Sequence, residues 1–265
     1  MLLRDKVVIV TGAGGGLGAG IARVCAREGA KVVVADIRGD AAMEVAARLD
    51  GARGVACDLR DDAALESLVA DTVEAFGRID GLVNNAGANF AKPFLDTTAQ
   101  DWEWVLSLDL RAVFFLTQKV CRQMLSQGDG GSVVNISSVH SHSCLPGAGP
   151  YDAAKWGVVG MGKSMAVELA PQGIRVNAIS PGLLNTQIWQ DLQSAAPSPE
   201  ACLDYWKQNI PIGRVIEPEE IGELAAFLLC DRSAAITGAN LFADGGMTSQ
   251  LVSKEPYASK AIEGR

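Results

Sequence analysis

Tyr151 and Lys155 stand four residues apart in Tyr151-Asp152-Ala153-Ala154-Lys155, inside an Ala-rich stretch with helical spacing, so their side chains share one helix face. A free tyrosine, with a pKa of about 10, is a poor base at neutral pH. A cation held beside it favours tyrosinate, and a fall of about three in pKa corresponds to about 4 kcal/mol. A tyrosine so placed can take the proton of an alcohol while a hydride leaves the same carbon. Ser138, thirteen residues upstream at the end of a strand-like run, can hydrogen-bond the same oxygen. Y-x-x-x-K alone recurs by chance as a structural pattern; its weight here comes from the motifs that accompany it.

The hydride needs an acceptor, and the N-terminal stretch offers a place for one. After the first β-branched run comes Thr11-Gly12-Ala13-Gly14-Gly15-Gly16-Leu17-Gly18, then a helical pattern. Glycines let backbone approach a pyrophosphate closely, and a helix N-terminus supplies free N–H groups and the positive end of a dipole. The spacing is G-x-x-x-G-x-G over Gly12, Gly16 and Gly18, not the strict G-x-G-x-x-G, because Leu17 occupies the last glycine position. The second strand-like run ends in Asp36, where a carboxylate can accept both hydroxyls of an adenosine ribose and would repel a 2′-phosphate. Arg38 follows and softens that repulsion in part; the carboxylate still makes NAD the expected cofactor rather than NADP. Cys57-Asp58-Leu59 closes the third run in the same way, with Asp58 placed to take an adenine amino group.

These residues must be held by something, and the chain alternates short β-branched runs with longer amphipathic ones. Residues 6–11, 31–36, 53–57, 81–84, 132–137, 174–179 and 240–243 read as strands. Between them 16–28, 40–49, 61–76, 109–126, 151–170 and 219–230 carry helical spacing. Strands apolar throughout, alternating with helices, indicate a sheet covered on both faces. The fold class is therefore α/β: a single doubly wound, Rossmann-type domain with a mostly parallel seven-stranded sheet. The domain is expected over 1–247. The least regular segment, 182–214, is rich in Pro, Gln and Asn, and 183–214 reads as a substrate loop or lid.

At this point the chain resembles the classical short-chain dehydrogenase/reductase family along nearly its whole length. The resemblance rests on the glycine turn, Asp58, Asn84-Asn85-Ala86-Gly87, Ser138, Tyr151 with Lys155, Asn177, Pro181-Gly182 and Asp244-Gly245-Gly246. It implies that Asn85, Ala86 and Gly87, with Asn84, steady the central strand beside the cofactor ribose. It implies that Lys155 holds the nicotinamide ribose as well as tuning Tyr151. Backbone around Leu184 and the Thr186 hydroxyl, following Pro181 and Gly182, would fix the nicotinamide carboxamide. A homotetramer built through the helices around Asp109 and Tyr151 is also implied. One departure stands out: the family usually carries asparagine before Arg111-Ala112-Val113-Phe114, where this chain has Asp109. The asparagine helps hold a proton-relaying water; if the main-chain carbonyl binds that water, Asp109 preserves the relay and adds a negative charge near Lys155.

The resemblance places the substrate pocket after Asn84–Gly87, after Ser138, around Tyr151 and in the late segment. That nominates Asn89, His140, His142, Asn185, Gln187, Trp189 and Trp206. The tryptophans are equally suited to packing, and His142 to a solvated loop. Neutral hydrogen-bonding groups beside aromatics, with no Arg or Lys, favour a sugar, polyol or hydroxylated ring as the small-molecule substrate.

Bulk properties exclude several other classes. A net charge of −8 argues against a nucleic-acid surface. No apolar run approaches a membrane span, and the N-terminus does not read as a signal peptide. The six cysteines are scattered, as expected of reduced thiols in the cytoplasm. Two histidines without H-E-x-x-H make a protein-borne catalytic metal unexpected. The tail 248–265 ends Ile262-Glu263-Gly264-Arg265, which matches a protease-recognition tag; it is either partly an appended remnant or native sequence reaching a neighbouring subunit. Two rival functions remain: an NADPH-dependent 3-oxoacyl ketoreductase, and a dinucleotide-binding sensor or scaffold without catalysis. Retention of both Tyr151 and Lys155 speaks against the second; Asp36, net acidity and the Gly14-Gly15 pair speak against the first.

Overall fold

The computed structural model describes residues 1–251. In β1 (Val7–Thr11) every residue is buried, Val8 and Val10 entering one core and Ile9 the other. β2 (Lys31–Asp36) divides likewise, Val32 and Val34 against Val33 and Ala35. A strand packed on both faces has no polar side to show, which is why these runs are continuously apolar. The remaining strands are β3 (Arg53–Ala56), β4 (Gly81–Asn84), β5 (Gly131–Ile136), β6 (Ile174–Pro181) and β7 (Asn240–Ala243). They form one seven-stranded sheet of order β3-β2-β1-β4-β5-β6-β7. Every pairing is parallel, so the sheet is parallel throughout rather than mostly so. The strand order turns back between β1 and β4, which opens a crevice beyond their C-terminal ends.

The helices are α1 (Gly16–Arg27), α2 (Gly39–Ala46), α3 (Asp62–Phe76), α4 (Ala99–Leu106), α5 (Val113–Gln127), α6 (Gly149–Leu169), α7 (Gln187–Ala195), α8 (Pro199–Asn209) and α9 (Pro218–Leu229). α1, α2 and α9 bury Ile21, Ala42 and Ile221 on one sheet face. α3, α5 and α6 bury Leu68, Leu116 and Ala166 on the other.

Three helices escaped the sequence reading. α4 opens with a capping box in which Thr98 and Asp101 satisfy each other's backbone N–H, a T-x-x-D signal present in the sequence. α7 and α8 lie within 183–214, so that segment is helical rather than a loop. Its polar composition conceals α7, which buries only Trp189, and α8, which buries nothing. Between α4 and α5 the chain widens into a π-helical turn over Ser107–Ala112, which places Asp109 in the interior. The tail expected over 248–265 lies mostly outside the described residues. No helix among the described residues is long and apolar enough to cross a membrane, and the six cysteines form no disulfide.

Candidate active site

The glycine turn is shaped by what its neighbours allow. Gly12 and Gly16 have φ of 61° and 52°, in the left-handed region where a Cβ is costly. A Cβ on Gly12 would lie 2.8 Å from the Cα of Ala86, and one on Gly14 2.9 Å from the Asp36 carboxyl group. α1 then starts with Gly15 as N-cap, no side-chain cap and no acidic residue in its first turn. Its leading N–H groups thus keep their hydrogens for an anion. The residues present fit the pyrophosphate of a dinucleotide.

Asp36, at the end of β2, is 8% exposed and anchored to this turn. Its Oδ2 accepts from the Gly14 N–H at 2.9 Å and its Oδ1 from the Arg38 N–H at 2.9 Å. A carboxylate oxygen can accept more than one hydrogen bond, so a ribose diol can still be held. Arg38 is largely exposed, its Nε 3.5 Å from Asp36 Oδ1. Asp58 is exposed on the same cavity wall and accepts from the Arg60 N–H at 3.0 Å. Leu59, expected beside it, turns its side chain into the sheet core instead.

At the end of β4 the Asn84–Gly87 turn ties the central strands together. Asn84 donates to Thr117 at 2.9 Å and to the Asn135 side chain at 2.8 Å. Asn85 donates to the carbonyls of Thr11 and Gly12 at 2.9 and 3.1 Å, while the Thr11 hydroxyl accepts from the N–H groups of Asn85 and Ala86.

α6 then delivers Tyr151 and Lys155 to the crevice. The Lys155 ammonium lies 5.2 Å from the centre of the Tyr151 ring. It forms a buried ion pair with Asp109 Oδ2 at 3.1 Å. Asp109 Oδ1 accepts from the Ala88 N–H at 2.8 Å, so this carboxylate joins the lysine to the β4 turn. Burial by itself pushes the Lys155 ammonium toward neutrality. Its electrostatic interaction with Tyr151 and with the Asp109 carboxylate, and its hydrogen bond to that carboxylate, outweigh this, and its pKa lies above the usual lysine value. Ser138, just beyond β5, accepts from the His140 N–H at 3.2 Å, leaving its own O–H to donate.

One cavity of about 810 Å³ joins these groups, running from Asp36 past the glycine turn to Tyr151 and Lys155. Gly12, Gly16, Leu17, Gly18, Asn85, Ala86, Gly87, Ser138, Pro181, Gly182, Leu184 and Thr186 line it, as do Asn89, His140, Gln187, Trp189 and Trp206. Four expected residues stand elsewhere. Asn185 is turned outward, its amide donating to Glu217 at 3.0 Å. His142 packs edge-on against Phe242, 5.6 Å between ring centres. Leu59 is in the core, and Asp109 stands behind the cavity wall, bound to Lys155 and to the Ala88 N–H.

The wall is also more apolar than expected, because Leu145, Leu183, Ile188 and Leu192 join it. Such leucines look like core residues in a sequence, and nothing local marks them as pocket. Asp152 was missed as well: it binds His140, a contact between residues on different elements that no spacing rule announces.

A first crossover devoted to an anion cradle, followed by a central helix presenting a tyrosine under a buried ammonium, is the design of a nicotinamide-dependent oxidoreductase. The family model described as Enoyl-(Acyl carrier protein) reductase matches residues 12–248. Oxidoreductase UcpA of Salmonella typhimurium is 40% identical over 251 residues, covering 93% of this chain and 95% of its own. D-threitol dehydrogenase of Mycolicibacterium smegmatis is 41% identical over 250 residues, covering 93% and 94%. The crystal structure of a short-chain type dehydrogenase/reductase from Mycobacterium marinum superposes with a TM-score of 0.86 at 31% identity, covering 94% of this chain and 97% of that one. The chain belongs to the classical short-chain dehydrogenase/reductase family, enzymes that act on alcohols and carbonyls with NAD or NADP.

Proposed function

We propose that the protein is an NAD-dependent dehydrogenase of a secondary alcohol flanked by further hydroxyls: a sugar, a polyol or a hydroxylated ring. The observation that carries the reading is the Lys155 ammonium over the Tyr151 ring, in a cavity continuous with Asp36. A bound nicotinamide would take up the hydride. Ser138 donates a hydrogen bond to the substrate oxygen, and Tyr151 removes its proton. Lys155 stabilises the charge on Tyr151 and holds the ribose beside it. Asp109 positions Lys155. Gly12, Gly16, Leu17 and Gly18 receive the pyrophosphate, Asp36 the adenosine ribose and Asp58 the adenine. Asn85, Ala86 and Gly87, with Pro181, Gly182, Leu184 and Thr186, border the nicotinamide half.

The catalytic unit is 1–247, with 183–214 closing over the substrate. The exposed Trp102, Trp104, Phe114 and Trp156 on α4, α5 and α6 support assembly, as a homotetramer, through those helices. The similarity to an enzyme named for D-threitol supports a polyol, as do Asn89, His140 and Gln187 on the wall.

The apolar stretch Leu145, Leu183, Ile188 and Leu192, together with the acyl-carrier description of the matching family, favours a second reading: a 3-oxoacyl ketoreductase using NADPH. A panel of polyols, sugars, simple alcohols and 3-oxoacyl thioesters, each assayed at 340 nm with both cofactors, separates the two. The expected result is fastest turnover of a polyol or sugar with NAD. Best turnover of an acyl thioester with NADPH overturns the first reading.

A further inference from the structure

His140 is held in a way that an ordinary pocket histidine is not. Its Nδ1 lies 2.5 Å from Asp152 Oδ1, with the two side chains only 17% and 14% exposed. An ionised carboxylate has lone pairs to offer and no hydrogen, so the proton of this bond sits on Nδ1. In the neutral imidazole that leaves Nε2 as a bare acceptor. Among the described residues Nε2 has no protein partner, and the ring lines the cavity. The same ring packs edge-on against Tyr151 with 5.2 Å between centres. The acceptor is therefore fixed next to the group that handles the reacting hydroxyl. Asp152 is the residue after Tyr151 and is placed by the same first turn of α6, while His140 is tethered through its N–H to the Ser138 hydroxyl. One short stretch of chain thus sets the proton-transfer group and the acceptor at a constant separation.

We propose that His140 and Asp152 form a dyad that selects substrates bearing a hydroxyl beside the reacting carbinol. His140 Nε2 accepts that hydroxyl's hydrogen, and Asp152 acts as a positioning residue that fixes the tautomer and the ring. This rests on the polyol reading above and adds to it the residue that distinguishes a diol from a simple alcohol. Pockets built to hydrogen-bond a hydroxyl discriminate strongly against analogues that lack it.

The test compares 2,3-butanediol with 2-butanol, in the wild-type enzyme and in His140→Phe, Asp152→Leu and Asp152→Asn, by NADH formation. His140→Phe keeps an aromatic edge against Tyr151 and removes both ring nitrogens. It is expected to lower the ratio of kcat/KM for diol over mono-alcohol about tenfold, the scale of one well-placed hydrogen bond, through KM for the diol. Because the readout is the ratio of the two alcohols, any loss common to both cancels, and NAD affinity, read by fluorescence, should stay within about twofold. Asp152→Leu should lower the ratio by a smaller factor, and Asp152→Asn, whose amide oxygen can still accept from Nδ1, should restore most of it. A wild-type enzyme that prefers the diol, with a ratio unchanged in His140→Phe and Asp152→Leu, overturns the dyad alone. A wild-type enzyme with no preference for the diol overturns both the dyad and the polyol reading.

Discussion

The two ends of the cavity are built on different principles. At the cofactor end the shape belongs to the backbone. Gly12 and Gly16 adopt left-handed φ, α1 starts without a side-chain cap, and Asp36 is tied to the Gly14 and Arg38 N–H groups. At the substrate end the shape belongs to side chains gathered from after β4, after β5 and from α7 and α8. Trp189, Leu192 and Trp206 there share no motif with Asn89 or His140. A surface made of backbone tolerates few substitutions and suits a ligand that does not change. A surface made of side chains on two lightly anchored helices can be altered without disturbing the sheet. In a family acting on many alcohols, that division lets one cofactor site serve many pockets.

The sharpest way to break the comparison is at the seam where the two ends meet. Asp109→Leu leaves the Lys155 ammonium buried without its carboxylate, and should cost about 3–5 kcal/mol in urea unfolding at neutral pH. Asp109→Asn, which keeps an acceptor for the Ala88 N–H, should cost clearly less. The sign of the pH effect follows from the raised lysine pKa. The stabilisation is fully present below the ordinary lysine value and is lost as pH rises through the raised one, so wild type and variant should converge only under alkaline conditions. Equal stability of Asp109→Leu and wild type at pH 7 would show that the pair contributes nothing to the fold.

Next in size is Tyr151→Phe, which belongs to neither end. It should cut kcat on the order of 10² or more with every substrate, while NAD affinity and melting temperature change little. Near-normal turnover would mean that the proton leaves by another route. At the cofactor end, the wild type is expected to prefer NAD by at least about tenfold in kcat/KM, and Asp36→Ala to narrow that gap, mainly by admitting NADP, to the same extent for every alcohol tested. A change that depends on the alcohol would dissolve the distinction between the ends. The smallest effect is expected from Asn185→Ala. With its amide on Glu217 and outside the cavity wall, it should move KM for substrate by less than about twofold, in keeping with an exposed surface substitution.

How far each end could be read beforehand follows the same division. The glycine turn, Asp36, Ser138, Tyr151 and Lys155 are recognisable because each sits at a strand end or a helix start, where local spacing sets position. β1 and β2 were legible because both faces are buried and their residues run apolar almost without a break, whereas β3 and β7 are partly exposed and were legible from their place in the alternation of strand and helix. The α7–α8 segment was not, because its helices are short, polar overall and bury almost nothing, and the apolar residues of α7, Ile188, Trp189 and Leu192, face the cavity instead of a core. Leu59 shows the limit within a single tripeptide: neighbouring Asp58 faces the cavity while Leu59 faces the core. The turn that follows β3 decides this, and composition does not.

Sequence by itself was sufficient for the parallel αβ layering, the cofactor cradle and the tyrosine–lysine pair, since all three depend on residues close together in the chain or on a repeating pattern. The tertiary structure decided that Asp109 lies within 3.1 Å of Lys155, that Asp152 holds His140, that Asn185 faces away and that four aliphatic residues line the pocket. Each of those depends on elements brought together by the sheet order and on the π-helical turn that carries Asp109 inward. Contacts between elements are set by the packing of the whole chain, and no local interaction encodes them.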